Sequence, residues 1–487
     1  MVAVDGASKL PDFPPEPAVL ALEPEPLRIS VRERMLQLRE QSRVVRSTVE
    51  EATDSVQQRE QVVAHAGRSD YRVRGTPGHG PDVLFPRPAR PILAVVLLAL
   101  LLAAFAAPSA GASLRTSLAR ALQVPGVQQT GALAVDLRNG GPVYARNPGL
   151  SLRPASNEKL TVAVATLDRL GPGFRTETVV LGEGRLELGV WQGNLVLKGY
   201  GDPTLTRTEL GALVRQVRAA GVRQVTGRIE GDESFFDTKR VAPGWKPSFY
   251  KEESPPLSAL VVDRAKVNGR TVDDPALAAA QAFRAALRSA SVRVPNAAVK
   301  GVAASGATPL GRLISPTMAR LVRSMDLRSD NFFAEMLVKQ LGARKRGAGT
   351  TPAGMRVVWS ELNERGVPLA GVQVVDGSGL SRYDRLTARA IAALLISAFS
   401  DPAISAPFVG SLPVAGISGT LRDRMERPPA LGNVYAKTGT TTEASALSGY
   451  VKTRYVFSIL QNGYPIAWWY ARRGQDRFAT ILAGAAG

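Results

Sequence analysis

Cysteine is absent from this chain, and histidine occurs twice, at His65 and His79. The first absence excludes disulfides and thiol chemistry, though by itself it assigns no compartment. The second excludes more, because residues 113–487 contain neither residue type. No Ser-His-Asp triad, Cys-His pair or histidine-ligated metal can operate there. A hydrolytic serine in that region needs another base, and a lysine amine is the natural one. No metal and no cofactor is expected.

Long apolar runs are nearly absent as well. One occurs, Ile92 to Ala107, sixteen residues without a charge. Arg87 and Arg90 precede it, and Ala110-Gly111-Ala112 follows. A basic flank, an apolar stretch and an A-x-A ending describe a signal peptide over 83–112, with cleavage before Ser113. The run is short for a membrane span; an uncleaved anchor is the alternative. The expected location is outside the cytoplasm, in the periplasm or cell envelope, with anchoring open. A leader belongs at a true N-terminus. Residues 1–82 therefore read either as non-native sequence ahead of a start near Val83 or Leu84, or as a disordered or helical tail of an anchored protein.

Acidic residues are in deficit. The chain carries 61 Lys and Arg against 42 Asp and Glu, a formal charge of +19. Residues 1–112 hold 13 of each sign, so the whole excess falls on 113–487. Such an exported protein is drawn to anionic wall polymers or lipid headgroups. No long basic run and no nucleic-acid motif accompanies the charge, so nucleic acid is not an expected partner.

Three short words carry the chemistry. They are Ser156-Asn157-Glu158-Lys159, Ser329-Asp330-Asn331 and Lys437-Thr438-Gly439-Thr440. Each alone occurs by chance in proteins of this length. The order S-x-x-K, S-D-N, K-T-G is the signature of penicillin-recognising serine enzymes.

Their local contexts agree. Thr130–Leu137 reads as a strand, Asn139-Gly140 as a hairpin turn, and Val143–Ala145 as the return strand. Pro154 suits the first turn of a helix. Leu160, Ala163, Val164, Leu167 and Leu170 continue it at helical spacing until Gly171-Pro172. Ser156 is thus expected in the first turn of a buried helix, one turn before Lys159. From 176 to 272 the texture turns strand-rich, with strands at Arg185–Val190, Asn194–Lys198 and Val225–Glu230 and a helix near Leu210–Ala219. Ser329-Asp330-Asn331 falls between two helices. Asn433–Thr440, Ala446–Lys452 and Tyr455–Gln461 read as an antiparallel set, closed by a helix at Gln475–Ala483.

Ser156 and Lys159, three apart on a helix, share a face. The helix start supplies free N–H groups and a positive dipole end for an oxyanion. Lys159 must be neutral to act as base, against a free value of ~10.4. Burial and the nearby Lys437 charge can supply that shift. Ser329 is suited to relay a proton to the leaving amine. Asn331 can hold the substrate amide and fix Lys159, while Asp330 braces the loop. Lys437 offers a cation for a substrate carboxylate, and Thr438 a hydroxyl. Gly439 lets the substrate backbone lie along the strand edge. The Thr440 N–H, with that of Ser156, would complete an oxyanion hole.

The region from Ser113 onward resembles the class C low-molecular-mass penicillin-binding proteins, the penicillin-binding protein 4 type of D-alanyl-D-alanine carboxypeptidase/endopeptidase. Further words carry the likeness: Gly201-Asp202-Pro203-Thr204-Leu205, Gly231-Asp232-Glu233-Ser234-Phe235-Phe236, Ser254 to Leu260, Asp376-Gly377-Ser378-Gly379-Leu380-Ser381-Arg382 and Ser418-Gly419-Thr420-Leu421. The resemblance implies an α+β fold. A transpeptidase/β-lactamase-like domain of helices and antiparallel sheet (113–175 and 273–487) would carry an inserted strand-rich domain (176–272). It implies a serine carboxypeptidase, possibly also an endopeptidase, acting on peptidoglycan stem peptides through an acyl-enzyme on Ser156, with β-lactams as covalent inhibitors. It suggests that Arg382 reaches the substrate. The 173-residue step from Ser156 to Ser329 is short for this family, so a third, nested domain is expected to be absent or reduced.

Two other functions fit less well. A serine β-lactamase shares the three words, and Ser360-Glu361-Leu362-Asn363 imitates one of its motifs. The acid expected two residues before that glutamate is Trp359 here. A non-enzymatic penicillin-binding sensor or scaffold would not require Lys159.

Overall fold

The computed structural model describes residues 110–486. The 1–82 extension and nearly all of the 83–112 leader lie outside the described residues. Helix α1 (Ala110–Ala121) leads into strands β1 (Gln129–Asp136) and β2 (Pro142–Arg146). A single 3-10 turn, Ala155–Glu158, runs directly into α2 (Lys159–Leu170). Near the other end of the chain come β11 (Val434–Thr440), β12 (Ala444–Val451) and β13 (Tyr455–Asn462). These five strands form one antiparallel sheet in the order β11-β12-β13-β1-β2. The expected strand set and hairpin are therefore present, and β11, which carries Lys437 to Thr440, is a sheet edge.

Alternation along β1 builds two cores. Leu133 and Val135 face one side, Ala132 and Ala134 the other, as a period of two requires. On the first side lie α2, α5 (Met318–Arg328), α6 (Asn331–Arg346), α7 (Thr351–Glu364) and α8 (Ala388–Ser400). On the second, α1 packs with the long last helix α9 (Trp468–Ala485) through Leu118, Leu122, Phe478 and Leu482. Helix α9 starts earlier than the expected Gln475. Its first residues are aromatic and exposed, so no apolar period marks them.

A second sheet has the order β10-β3-β4-β6-β9, with β5 paired beside β4. Its members are β3 (Glu177–Glu187), β4 (Val190–Gly199), β5 (Gln224–Val225), β6 (Ile229–Asp232), β9 (Val299–Lys300) and β10 (Thr308–Ile314). A small hairpin, β7 (Lys266–Val267) and β8 (Arg270–Thr271), stands apart. Helices α3 (Arg207–Ala219) and α4 (Pro275–Ser289) bury Leu210, Leu213, Val217, Phe283 and Leu287 in this second core.

Two expectations need correction here. The boundary at 272 cuts through this body, because α4, β9 and β10 belong to it and the chain leaves it at Ile314. The expected strand Arg185–Val190 straddles a hairpin turn. Leu188 adopts φ 47° and Gly189 φ 84°, and β3 and β4 pair on either side of them. A leucine in the left-handed region is not a recognised hairpin signal, so the sequence hides this turn.

Candidate active site

The first word sits where the 3-10 turn meets α2. Ala155 takes φ 47°, and Ser156 follows, half-buried. Lys159 is wholly buried. Its Nζ lies 3.0 Å from Ser156 Oγ, 2.8 Å from Asn331 Oδ1 and 2.7 Å from the Ser378 carbonyl oxygen. Burial lowers this amine to about 8, against the opposing pull of Asp376, Glu335, Asp330 and Asp326. A fixed lysine near that value is partly neutral at physiological pH, as a general base must be.

The second word is a break between helices. Ser329 ends α5 in a left-handed conformation, φ 55° and ψ 39°. Asp330 then caps α6, accepting from the Phe333 N–H at 3.1 Å. Its carboxylate also takes two bonds from Arg264, at 2.6 and 3.2 Å. It therefore braces the loop. The turn sends Asn331 towards Lys159 and Ser329 towards Lys437. Asn331 Nδ2 donates to the Glu253 carbonyl at 3.1 Å, which fixes the amide so that its oxygen meets Lys159.

The third word lies along β11. Lys437 is wholly buried. Its Nζ donates to Ser329 Oγ at 2.8 Å and to the Thr438 carbonyl at 2.8 Å. Burial, and then the Lys159 charge, lower it to about 7, while Asp326 acts the other way. Asn157 Nδ2 donates to the Lys437 carbonyl at 3.0 Å and ties the first word to the third. A Cβ on Gly439 would lie 3.1 Å from the Ser156 nitrogen and 2.9 Å from the Pro154 carbonyl. Only glycine lets the strand edge come this close. Thr438 Oγ1 bonds Thr420 Oγ1 at 2.8 Å, and Thr440 is exposed.

Eight expected site residues therefore converge: Ser156, Lys159, Ser329, Asn331, Lys437, Thr438, Gly439 and Thr440. Arg382 does not join them. Its guanidinium lies over the Tyr383 ring, 4.9 Å from the centroid, and donates to the Tyr383 hydroxyl at 2.7 Å. None of its hydrogen bonds reaches the three words.

The sequence reading missed a set of buried acids behind the lysine. Glu335 Oε1 accepts from the Gly377 and Ser378 N–H groups at 3.0 and 2.9 Å. Asp376 accepts from the Gly379 and Ser381 N–H groups, the Ser378 hydroxyl and the Trp245 indole. Asp384 accepts from the Val375 and Asp376 N–H groups. Together they set the loop whose Ser378 carbonyl receives Lys159. Glu335 is raised to about 8, chiefly by burial and then by Asp376. Glu158 and Asp384 are also pushed well above the usual carboxyl range, first by burial. Glu158 Oε2, Glu335 Oε2 and Asp384 Oδ2 find no hydrogen-bond partner. Crowded buried carboxyls cannot all ionise, and burial favours their protonated forms. One signal was available: Asn331 and Glu335 stand four apart on α6, hence on one face.

The chain matches the D-Ala-D-Ala carboxypeptidase 3 (S13) family over residues 114–271 and 264–483. It belongs to that family. The D-alanyl-D-alanine carboxypeptidase of Actinomadura sp. (strain R39) is 33% identical over 446 residues, covering 74% of this chain and 82% of that protein. A carboxypeptidase of Mycobacterium tuberculosis is 31% identical, covering 72% of this chain and 78% of its own. The fold is that of penicillin-binding protein 4 from Haemophilus influenzae, with a TM-score of 0.68 at 21% identity over 76% of this chain and 98% of that one. As an S13 member the protein is a serine-type D-alanyl-D-alanine carboxypeptidase, with the α+β fold of penicillin-recognising enzymes.

This S13 enzyme engages Glu361, the glutamate of the E-L-N word, with arginines and not with Ser156. Glu361 is buried between Arg169 and Arg365 and bonds both. None of its side-chain hydrogen bonds or ion pairs reaches the three words.

Proposed function

We propose the following roles within the carboxypeptidase reaction. Neutral Lys159 takes the Ser156 hydroxyl proton as Oγ attacks the carbonyl of the penultimate D-Ala. The N–H groups of Ser156 and Thr440 stabilise the oxyanion. Ser329, hydrogen-bonded to Lys437, gives its hydroxyl proton to the leaving D-Ala nitrogen as the C–N bond breaks, and takes in its place the proton Lys159 had received, so that Lys159 is neutral again. Water then attacks the acyl-enzyme, neutral Lys159 takes its proton and returns it to Ser156 Oγ as the ester C–O bond breaks, and the shortened stem peptide leaves. Asn331 holds Lys159 in line throughout. Penicillins enter the same path at Ser156 and stop at the acyl-enzyme. One observation supports this most directly: the buried Lys159 amine stands 3.0 Å from Ser156 Oγ.

The protein is further proposed to work outside the cytoplasm. The apolar run with its basic flank supports export, and the +19 charge suits an anionic wall or membrane surface.

Intact-mass spectrometry after mixing with benzylpenicillin, together with an assay of D-Ala release from a peptide ending in D-Ala-D-Ala, tests the roles. The expected result is one penicilloyl adduct, absent in Ser156→Ala and in Lys159→Ala, with D-Ala release lost in both. Near-normal acylation of Lys159→Ala would refute its role as base. Fast penicillin turnover without D-Ala release would instead favour a β-lactamase.

A further inference from the structure

Arg472, on the first turns of α9, has a peculiar environment. Its Nη2 donates to Thr440 Oγ1 at 3.1 Å. The guanidinium lies over the Trp468 ring, 4.6 Å from its centroid. Its Nε is buried and without a partner. No carboxylate among the described residues forms an ion pair with it. The acid one turn further along α9, Asp476, is gripped by Arg424 at 3.0 and 2.7 Å. Burial and then the Arg424 charge work against the charged form of Arg472, while Asp476 acts the other way, and a guanidinium stays ionised. A half-buried, unpaired cation is costly, and this one reaches Thr440, the last residue of the third word.

The surroundings say which anion fits. Side chains alternate along β11. Lys437 and the Cβ position of Gly439 face the Ser156 turn, whereas Thr438 and Thr440 share the opposite face. Thr420, Thr438 and Thr440 offer hydroxyls on that face, ending at Arg472. Lys437 is committed to Ser329 and the Thr438 carbonyl. The permanent cation at the free edge of the strand is therefore Arg472, a planar fork matched to a carboxylate.

We propose that Arg472 binds the C-terminal carboxylate of the D-Ala-D-Ala substrate, and the ring carboxylate of penicillins, at the Thr438–Thr440 edge of the cleft. This rests on the Ser156-centred reading above. It moves the carboxylate-binding role expected of Lys437 largely to Arg472 and leaves Lys437 with proton relay. Trp468 holds the fork flat and limits its rotation.

The test uses the full chain, wild type, Arg472→Gln and Arg472→Lys. Two peptides are compared, one ending in D-Ala-D-Ala and one ending in its C-terminal amide. Wild type should favour the free acid in kcat/KM. Arg472→Gln should lose roughly 10- to 100-fold on the acid, the range of a hydrogen bond to a charged group, and change less than about twofold on the amide. Arg472→Lys, which keeps the charge but not the fork, should retain part of the preference. Benzylpenicillin acylation should slow with the acid substrate. Equal losses on both peptides, or no loss on either, would overturn the proposal. If wild type forms no adduct and releases no D-Ala, the cleft assignment itself falls. If it does both and Arg472→Gln keeps the acid preference, only the role of Arg472 falls.

Discussion

Glu335→Gln should stabilise this protein, by an amount that grows with pH. The Glu335 carboxyl is wholly buried and raised from 4.5 to about 8. A carboxyl raised on folding costs nothing at a pH well below its unfolded value. Stability is then lost as pH rises through that value towards the folded one, because the unfolded chain releases the proton first. At ~1.36 kcal/mol per unit the loss is about 1 kcal/mol at pH 5, about 3 kcal/mol at pH 7 and about 5 kcal/mol at pH 9. Glutamine has no proton to lose. Its oxygen can still accept from the Gly377 and Ser378 N–H groups, now held at 3.0 and 2.9 Å. Its NH2 can occupy the place of the partnerless Oε2. Urea unfolding at pH 5, 7 and 9, followed by tryptophan fluorescence, would show a midpoint gap between variant and wild type that widens with pH. A gap equal at pH 5 and pH 9, or a variant less stable at all three, would refute the reasoning.

Two further outcomes are expected from substitutions around the cleft. Gly439→Ala places a methyl 3.1 Å from the Ser156 nitrogen; benzylpenicillin acylation should fall by about 100-fold, as when an oxyanion donor is lost, while thermal unfolding changes little. Asp330→Ala removes the cap of α6 and the partner of Arg264. It should cost about 1–2 kcal/mol by thermal unfolding, with a smaller effect on Lys159 than Asn331→Ala has.

The sequence announced the chemistry better than the architecture. Ser156 and Lys159 are three residues apart, so helix geometry alone brings them together once a turn forms. The words Ser329-Asp330-Asn331 and Lys437-Thr438-Gly439 stand out in the sequence, but nothing in their spacing brings them to Lys159. Residues 108 apart, such as Lys437 and Ser329, leave no periodic trace of their contact. The extent of the second sheet was hidden for a related reason. Its last strands are short or exposed, and β9 has only two residues, so no alternation marks them. The buried acids were invisible because a glutamate on a helix is ordinarily read as solvated. Burial of Glu158, Glu335 and Asp384 is set by packing across the fold, not by their neighbours in sequence. Arg472 gave no signal either, since an arginine on a terminal helix normally faces water.

The segment that crosses from the second sheet to the cleft has a wider implication. Trp245 donates to Asp376 at 2.7 Å, the Glu253 carbonyl receives Asn331, and Arg264 grips Asp330. Each of these contacts orients a residue beside Lys159, and each comes from sequence between Ser156 and Ser329. Scaffold and chemistry are therefore not separable modules. Trimming residues 177–314 to obtain a minimal hydrolase would remove all three fastenings at once.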